Sequence, residues 1–424
     1  MRVHILLFGL ALSLVHGTVC LAVQGKHTGV VGIFSGPRAF DTCALMADAR
    51  LVCWGYYQDS PYPQNVGGRD VSQATVGEAF VCAVTRDTRV FCWGIVNDSG
   101  QLGTADSGHY DPLPVQSFGS DFNQVLKVSA GRKHVCALRS DHSVWCWGSN
   151  EVGQLGNVGV GIGTDYYPQP VQVRYRDDTT TPPNPALTNA VDIFSGYKHS
   201  CALFRRGSAA CWGYDNEGEL GNDKVHANFD SPQTVLVQGS GGDESLIVSG
   251  GAIVAGGFHT CGLVSDIVLN SVGCWGNNLA GQLGTGDKIN KPTAYSALDR
   301  NGKIVDARSV AAGESFTCAL RGDATATCWG SNDTDQIGNP SGDVTNPQLV
   351  GMPVLAADGN PLDHIVQLAA GASHICALRD NDDVLCWGDN TYRQLDGRAN
   401  TDPTSVPQSV VFDKTLFTDN FDGN

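Results

Sequence analysis

The side chains with the widest chemical repertoire in this sequence are its fifteen cysteines, which can bridge to one another, hold a metal or act as nucleophiles. Fourteen of them fall into pairs within one recurring phrase. Cys43, Cys82, Cys136, Cys201, Cys318 and Cys376 are each followed ten residues later by Cys53, Cys92, Cys146, Cys211, Cys328 and Cys386, and Cys261 is followed thirteen later by Cys274. Every second cysteine precedes Trp-Gly, at Trp54, Trp93, Trp147, Trp212, Trp275, Trp329 and Trp387. Both residue types are rare, so seven returns in one phase mark an internal repeat.

The spacing favours bridging. In the copy from Gly131 to Gly156, GRKHVCALRSDHSVWCWGSNEVGQLG, the runs His134 to Leu138 and Ser143 to Trp147 read as two short strands around a polar turn. Cys136 and Cys146 are equidistant from Asp141, so they face each other across an antiparallel pair at a distance a disulfide spans. Each such bridge is worth about 2–3 kcal/mol in the chain-entropy picture. His134, His199, His259 and His374 stand two residues before a cysteine, which invites zinc. Phe80 and Phe316 hold the same position in two copies, however, and phenylalanine cannot ligate, so packing or a hydrogen bond is expected there and no metal. The glycine three residues earlier, as at Gly131 and Gly196, is expected to take a backbone angle closed to other residues. The tryptophans, each next to a bridged cysteine, are expected in the core and not on a carbohydrate platform. No nucleophile elbow, zinc-helix or phosphate-loop motif is present, since Gly156 to Gly163 is not closed by Lys-Ser/Thr; no catalytic residue and no cofactor is expected.

The elements that must carry these residues are strands. Glycine is abundant, at 52 residues, and short β-type runs alternate with turn residues, which points to an all-β chain. A Pro-containing strand lies between successive hairpins, as at Pro112 to Phe118, Pro168 to Val173, Pro232 to Val237 and Pro347 to Val350, and Asn301-Gly302 and Asp358-Gly359 signal a hairpin onward. Each unit thus supplies four strands. Only one β-like run, Val30 to Phe34, precedes Cys43, whereas an extra one, Pro403 to Phe412, follows Trp387. The count predicts that Ser405 to Phe412 completes the sheet of Cys43 and Cys53, closing a ring.

Residues 1–22, with Arg2, an apolar run from Ile5 to Val15 and small residues at Gly17 and Ala22, read as a signal peptide cleaved after Gly17 or Ala22. Residues 23–29 form a leader, 30–413 the repeat domain and 414–424 a tail. No later stretch is long and apolar enough to cross a membrane. Forty-three acidic against 27 basic residues give a net charge of −16, which disfavours nucleic acid and anionic lipid. Asn97-Asp98-Ser99 and Asn332-Asp333-Thr334 are glycosylation acceptors if the chain passes a eukaryotic secretory route, and are then expected to face solvent. Three connectors exceed what the repeat needs, 157–189, 225–251 and 350–368. The first offers Tyr166, Tyr167, Arg174, Tyr175 and Arg176 as contacts of the kind that anchor protein partners.

Gly-x-x-His-x-x-Ala-Leu, Trp-Gly-x-Asn and Gly-Gln-Leu-Gly resemble the repeats of the regulator of chromosome condensation family, over about Val30 to Phe412. The resemblance implies a seven-bladed β-propeller of four-stranded antiparallel blades. The paired cysteines look more like secreted members, such as crinkly-type receptor ectodomains. A signal peptide, an acidic charge and the lack of a basic arm separate this chain from the founding chromatin protein, and argue against nucleotide exchange and against histone or DNA binding. The expectation is a secreted, monomeric, non-enzymatic propeller that binds an unidentified protein through loops on one face. The alternatives are a lectin-like or enzymatic propeller, which needs acids or aromatics converging at the central channel, and an exchange factor if the signal peptide is false.

Overall fold

The computed structural model describes residues 29–56, 64–66, 70–105, 108–117, 119–159, 162–177, 179, 183–236, 248–264, 271–341, 347–395 and 401–412. The stretches expected to be a signal peptide (1–22) and a tail (414–424), and most of the expected leader, lie outside them. Seven four-stranded antiparallel sheets follow one another in chain order, each with its strands in sequence order from the inside out. The third is representative: Val125–Ala130 lines the centre, His134–Arg139 and Val144–Asn150 form the cysteine hairpin, and Thr164–Gln172 is the rim strand. A bulge between Val125 and Lys127 resets the alternation of the first strand, so that Val125, Val128 and Ala130 are buried while Leu126 stays exposed. The sheets form a seven-bladed propeller.

All seven predicted bridges are present. In each blade the two cysteines are directly opposed, as Cys136 is to Cys146 and Cys261 to Cys274, with Cα atoms 4.0 to 4.1 Å apart. The three extra residues of the Cys261 copy enlarge the turn and leave the pairing intact.

The ring does not close as the strand count predicts. Thr404–Ser409 pairs with Val384–Gly388 in the last blade, and the fourth strand of the first blade is Gln64–Val66, paired to Leu51–Gly55. The Pro-led strand belongs to the blade before it, hydrogen-bonded to the strand that carries Trp-Gly. The Asn301-Gly302 and Asp358-Gly359 turns do close small hairpins, bridged at Leu298/Ile304 and Leu355/Pro361, but these carry the chain between blades. With every blade continuous in sequence, closure falls to contacts between the seventh and first blades. Gln367 of the seventh blade binds both the N–H (3.0 Å) and the C=O (2.8 Å) of Ile33 in the first, and Ala372 N–H donates to Ala39 O at 2.9 Å.

The interfaces between blades explain the repeat. Each Trp-Gly indole is fully buried, and six of the seven donate Nε1–H to the carbonyl of the Gln or Glu in the preceding blade's Gly-Gln-Leu-Gly loop, at 2.9 to 3.1 Å. The exception is Trp93, whose nitrogen finds no acceptor among the described residues; the first blade lacks that loop motif. The histidines make a second tier. Nε2 of His134, His199, His259 and His374 lies 2.8 to 2.9 Å from the hydroxyl of Ser200, Thr260, Thr317 and Thr42 in the next blade. Ser200, Thr260 and Thr317 donate their own protons to the carbonyls of Gln154, Glu219 and Gln282, so the histidine must be the donor to them. Where the histidine is replaced, its partner changes too, for Phe80 packs in one cluster with Val135 and Phe316 with Ile375. The motif glycine is not at positive φ, contrary to expectation. It is required by close approach: a Cβ on Gly131 would lie 2.2 Å from the His134 ring and 2.3 Å from Gly196 O in the next blade.

This matching is testable. Thr260→Val should cost about 1–3 kcal/mol, because His199 Nε2–H is left buried without an acceptor. Adding His199→Phe, which recreates the Phe80/Val135 arrangement, should recover part of that loss in thermal melts. Strictly additive single effects would show that the pair is not coupled.

Candidate functional site

Within every blade the first two strands are joined by the loop that follows the motif glycine, so the seven loops meet at one end of the central channel. That channel is a cavity of about 320 Å³ lined by the inner strands of all seven blades, among them Ile33, Gln73, Lys127, Ile193, Val254, Val310 and Gln367. The loops are tied into a collar by backbone hydrogen bonds from blade to blade: Glu78 N–H to Arg132 O (3.2 Å), Arg132 to Tyr197 (3.3 Å), Tyr197 to Gly257 (3.2 Å), Gly257 to Gly313 (3.0 Å), Glu314 to Ala372 (3.0 Å) and Ala372 to Ala39 (2.9 Å). The residue at the corresponding place in the first blade is Pro37, which has no N–H to give.

The side chains on this collar converge. Arg38, from the first blade, hydrogen-bonds through Nη1 to Glu314 of the sixth, and its Nε lies 3.8 Å from Glu78 of the second. Its guanidinium sits 5.5 Å from the ring centre of Tyr197 in the fourth blade and 5.8 Å from that of Phe40. Arg132 donates to Glu78 at 2.8 Å and lies 4.9 Å over Tyr197, which stacks on Phe258 at 4.8 Å. Blades 4 and 6 are not neighbours of blade 1, so Arg38 must reach across the channel mouth. All four charged side chains are half-buried, at 20 to 31% exposure. Both carboxylates are ion-paired, which suits recognition better than proton transfer.

A second unusual cluster lies in the fourth blade's loop. Five other copies carry Asn and Gln at two positions where this one has Asp215 and Glu219, both fully buried. In the amide copies the Asn oxygen accepts the N–H five residues on, as Asn150 does from Leu155 at 3.1 Å, and the Gln nitrogen donates, as Gln154 does to Ser149. Asp215 and Glu219 keep the accepted bonds, from Leu220 (3.0 Å) and Glu217 (2.9 Å), but Asp215 Oδ2 and Glu219 Oε1 are left without partners. Burial therefore pushes Asp215 up to about 7 and Glu219 up to about 8. Among the described residues no group of three or more His, Cys, Asp or Glu is placed to hold a metal ion.

The residues nominated from sequence fare unevenly. Tyr166 is 51% exposed on the rim strand. Tyr167 and Tyr175 turn inward to pack beside Trp212 and Val173, and burial raises the Tyr175 phenol pKa. Arg174 donates to Asn184 O at 3.1 Å, and Arg176 makes two bonds, 2.6 and 2.8 Å, to Asp230. These five mark a rim patch between the third and fourth blades, and the structure does not bring them to the channel mouth. The collar residues were missed because they occupy the variable positions between the motif glycine and histidine, where no single copy stands out. Tabulating that position across copies (Glu78, Arg132, Tyr197, Glu314) would have shown it.

The sequons also depart from expectation. Asn332 is only 2% exposed, and its Oδ1 accepts Ile337 N–H at 3.0 Å; Asn97 is half-buried, accepts Leu102 N–H at 2.9 Å and donates Nδ2 to Thr104 O. Both are the loop-forming asparagine of the repeat, so neither stands free in solvent. Peptide mapping of protein secreted from eukaryotic cells should find Asn332 unmodified; a glycan there on folded protein would contradict this geometry.

Comparison with known proteins places the architecture. Residues 27–359 match the model of an RCC1-like domain, and residues 365–394 that of a regulator of chromosome condensation (RCC1) repeat. HERC6 of Homo sapiens, a probable E3 ubiquitin-protein ligase, is 28% identical over 300 residues, 69% of this chain and 26% of that protein. The ultraviolet-B receptor UVR8 of Arabidopsis thaliana is 34% identical over 132 residues, 31% of this chain and 27% of that protein. The chain thus spans about a quarter of the length of either relative. Human WBSCR16 superposes with a TM-score of 0.67 at 20% identity, covering 83% of this chain and 84% of that one. Prp20p of Saccharomyces cerevisiae, whose structure is described together with its binding to Gsp1p and histones, gives 0.67 at 22%, covering 87% of each. These two likenesses establish the fold. With the family model spanning most of the ring and the repeat residues building every blade interface, this chain belongs to the RCC1-like domain family.

Proposed function

We propose that this chain is an extracellular propeller that binds another protein. The observation that carries the reading is the convergence of Arg38, Glu78, Arg132, Tyr197 and Glu314 from five blades onto one channel mouth, held by a backbone collar on a rigid ring. Arginine and tyrosine are the residues that anchor protein interfaces. Rim contacts through Tyr166 and Arg176 would extend the same surface to a large partner. Seven intrablade disulfides, one in every hairpin, support an oxidising compartment, since cytosolic thiols are kept reduced. Secretion and the signal peptide at 1–22 are part of this proposal.

A carbohydrate-binding reading shares one observation with it, because the Tyr197/Phe258 stack and two nearby carboxylates are groups a sugar could use. The ion pairing of those carboxylates to Arg38 and Arg132 favours protein. Expression of the full chain in cultured eukaryotic cells tests the proposal: the medium should contain a monomer whose fourteen repeat cysteines are all bridged. A photo-crosslinking residue at Tyr197 should then capture a protein from the native extracellular fluid, where the same probe at exposed Leu279 on the outer loops does not. Retention in the cytosol with reduced cysteines, or equal labelling from both positions, would overturn it.

A further inference from the structure

Arg38 is held as a ligand would be held. A guanidinium is recognised by carboxylates that accept its N–H groups and by aromatic rings beneath its face, and Arg38 has Glu314, Glu78, Tyr197 and Phe40 in those roles. Its side chain reaches Glu314 and Tyr197 from across the channel mouth, since both belong to blades that do not adjoin its own.

The fit is incomplete. Arg38 Nε is buried without a hydrogen-bond partner, because the facing Glu78 oxygen is 3.8 Å away. A guanidinium that entered from outside, free of the tether to the first blade, could settle between the two carboxylates and satisfy that donor. The loop that carries Arg38 is also the one interrupted in the collar. Pro37 cannot donate to its neighbour, whereas the equivalent residues of the other blades are each bonded onward. Withdrawal of Arg38 would break side-chain contacts and leave the blade-to-blade backbone ring as it is.

We propose that the channel mouth is a recognition site for an arginine side chain presented by a basic partner segment, and that Arg38 is a built-in occupant which the partner displaces. This rests on the reading of the chain as a protein-binding propeller and names the chemistry of the partner. The net charge of −16 acts in the same direction, drawing a basic segment toward the surface. Displacement leaves Arg132 paired with Glu78 and over Tyr197, and frees Glu314, the Phe40 ring and the part of Tyr197 that Arg38 faces for the incoming guanidinium. The competition sets the affinity of the native chain low, because every binding event must first expel a side chain at high local concentration.

The experiment uses the full secreted chain and a fluorescent peptide, Gly-Arg-Gly-Arg-Gly, with Gly-Lys-Gly-Lys-Gly and Gly-Glu-Gly-Glu-Gly as comparisons. Arg38→Ala should tighten binding of the arginine peptide by about tenfold, and adding Glu314→Gln should remove that gain. Binding should weaken with salt, and the lysine peptide should bind less well because it lacks the planar fork. Arg38→Gln, which keeps a longer polar side chain than alanine, guards against a collapsed loop and should show the same gain. Thermal melting confirms that each variant is folded. Unchanged or weaker arginine-peptide binding in both folded Arg38 variants would overturn the proposal, as would tighter binding of the glutamate peptide, which would make the mouth an anion site. Either result leaves the wider protein-binding reading standing, for that reading fails only with the crosslinking and compartment test.

Discussion

Removal of residues 401–424 should yield a chain that fails to accumulate as a soluble monomer. The deleted segment holds Thr404–Ser409, the rim strand of the seventh blade, and its loss leaves the N–H and C=O groups of Val384–Gly388 as an open edge. It also removes Val410, which is buried, and Phe412, whose ring stands 5.8 Å from that of Trp54. Trp54 is fully buried at the seam between the seventh and first blades, so truncation wets the one interface that joins the two ends of the ring. Burying side chains of this size is worth about 1.5–3 kcal/mol each, and the lost strand adds several net hydrogen bonds of about 1 kcal/mol. Together these approach the whole stability of an ordinary domain. The measurement is the yield of soluble chain together with the melting midpoint. Phe412→Ala alone should lower the midpoint modestly and still give a soluble monomer. A truncated chain that melts like the parent would show that the seam does not depend on this strand.

The second large effect is on pH. Burial pushes His134 and His259 down to about 3, and His199 and His374 down to about 4, from an ordinary 6.5; for His134 and His259 the charge of His199 adds to it. A group depressed in the folded state lends stability that is complete above its unfolded pKa, 6.5 here, and is lost as pH falls toward 3 to 4. Asp215 and Glu219 act in the opposite sense. Raised to about 7 and about 8, they lend stability that is complete below their ordinary values of 3.8 and 4.5 and is lost as pH rises through 7 to 8. Each proton difference is worth about 1.4 kcal/mol per pH unit. Where the two windows overlap, from about pH 4.5 to 6.5, the four histidines outweigh the two acids, so stability should peak near neutrality and fall by about 3 kcal/mol per pH unit below about pH 6. Asp215→Asn with Glu219→Gln restores the amides of the other copies. It should raise the melting midpoint at pH 9 by several degrees, remove the alkaline fall and steepen the acid fall to about 5 kcal/mol per pH unit. An unchanged alkaline limb in this variant, or a parent protein flat from pH 4 to 9, would refute the assignment.

Both predictions depend on residues whose role was only half visible beforehand. His199 could be read as structural because Phe80 and Phe316 stand in its place elsewhere. That it pairs with Thr260, and that Phe80 pairs with Val135, needed the neighbouring blade, since the partners are about 60 residues apart. The closing strand was found but assigned to the wrong sheet, because a strand count fixes how many strands exist and not which edge each one joins. Asn332 was read as an acceptor for a glycan when the repeat uses it to fold a loop.

What the sequence determined alone is whatever is local or periodic. Ten-residue spacing about a turn sets two cysteines opposite each other, and seven equal phrases with alternating strands can bury their indoles only by packing on one another. The tertiary structure alone decided which variable residues meet. Arg38, Glu78, Arg132, Tyr197 and Glu314 are spread over nearly 280 residues, and only closure of the ring puts equivalent loop positions around one axis, within reach of a single guanidinium. Periodicity reveals what every blade shares; the site is made from what they do not share, and its geometry exists only once the circle is complete.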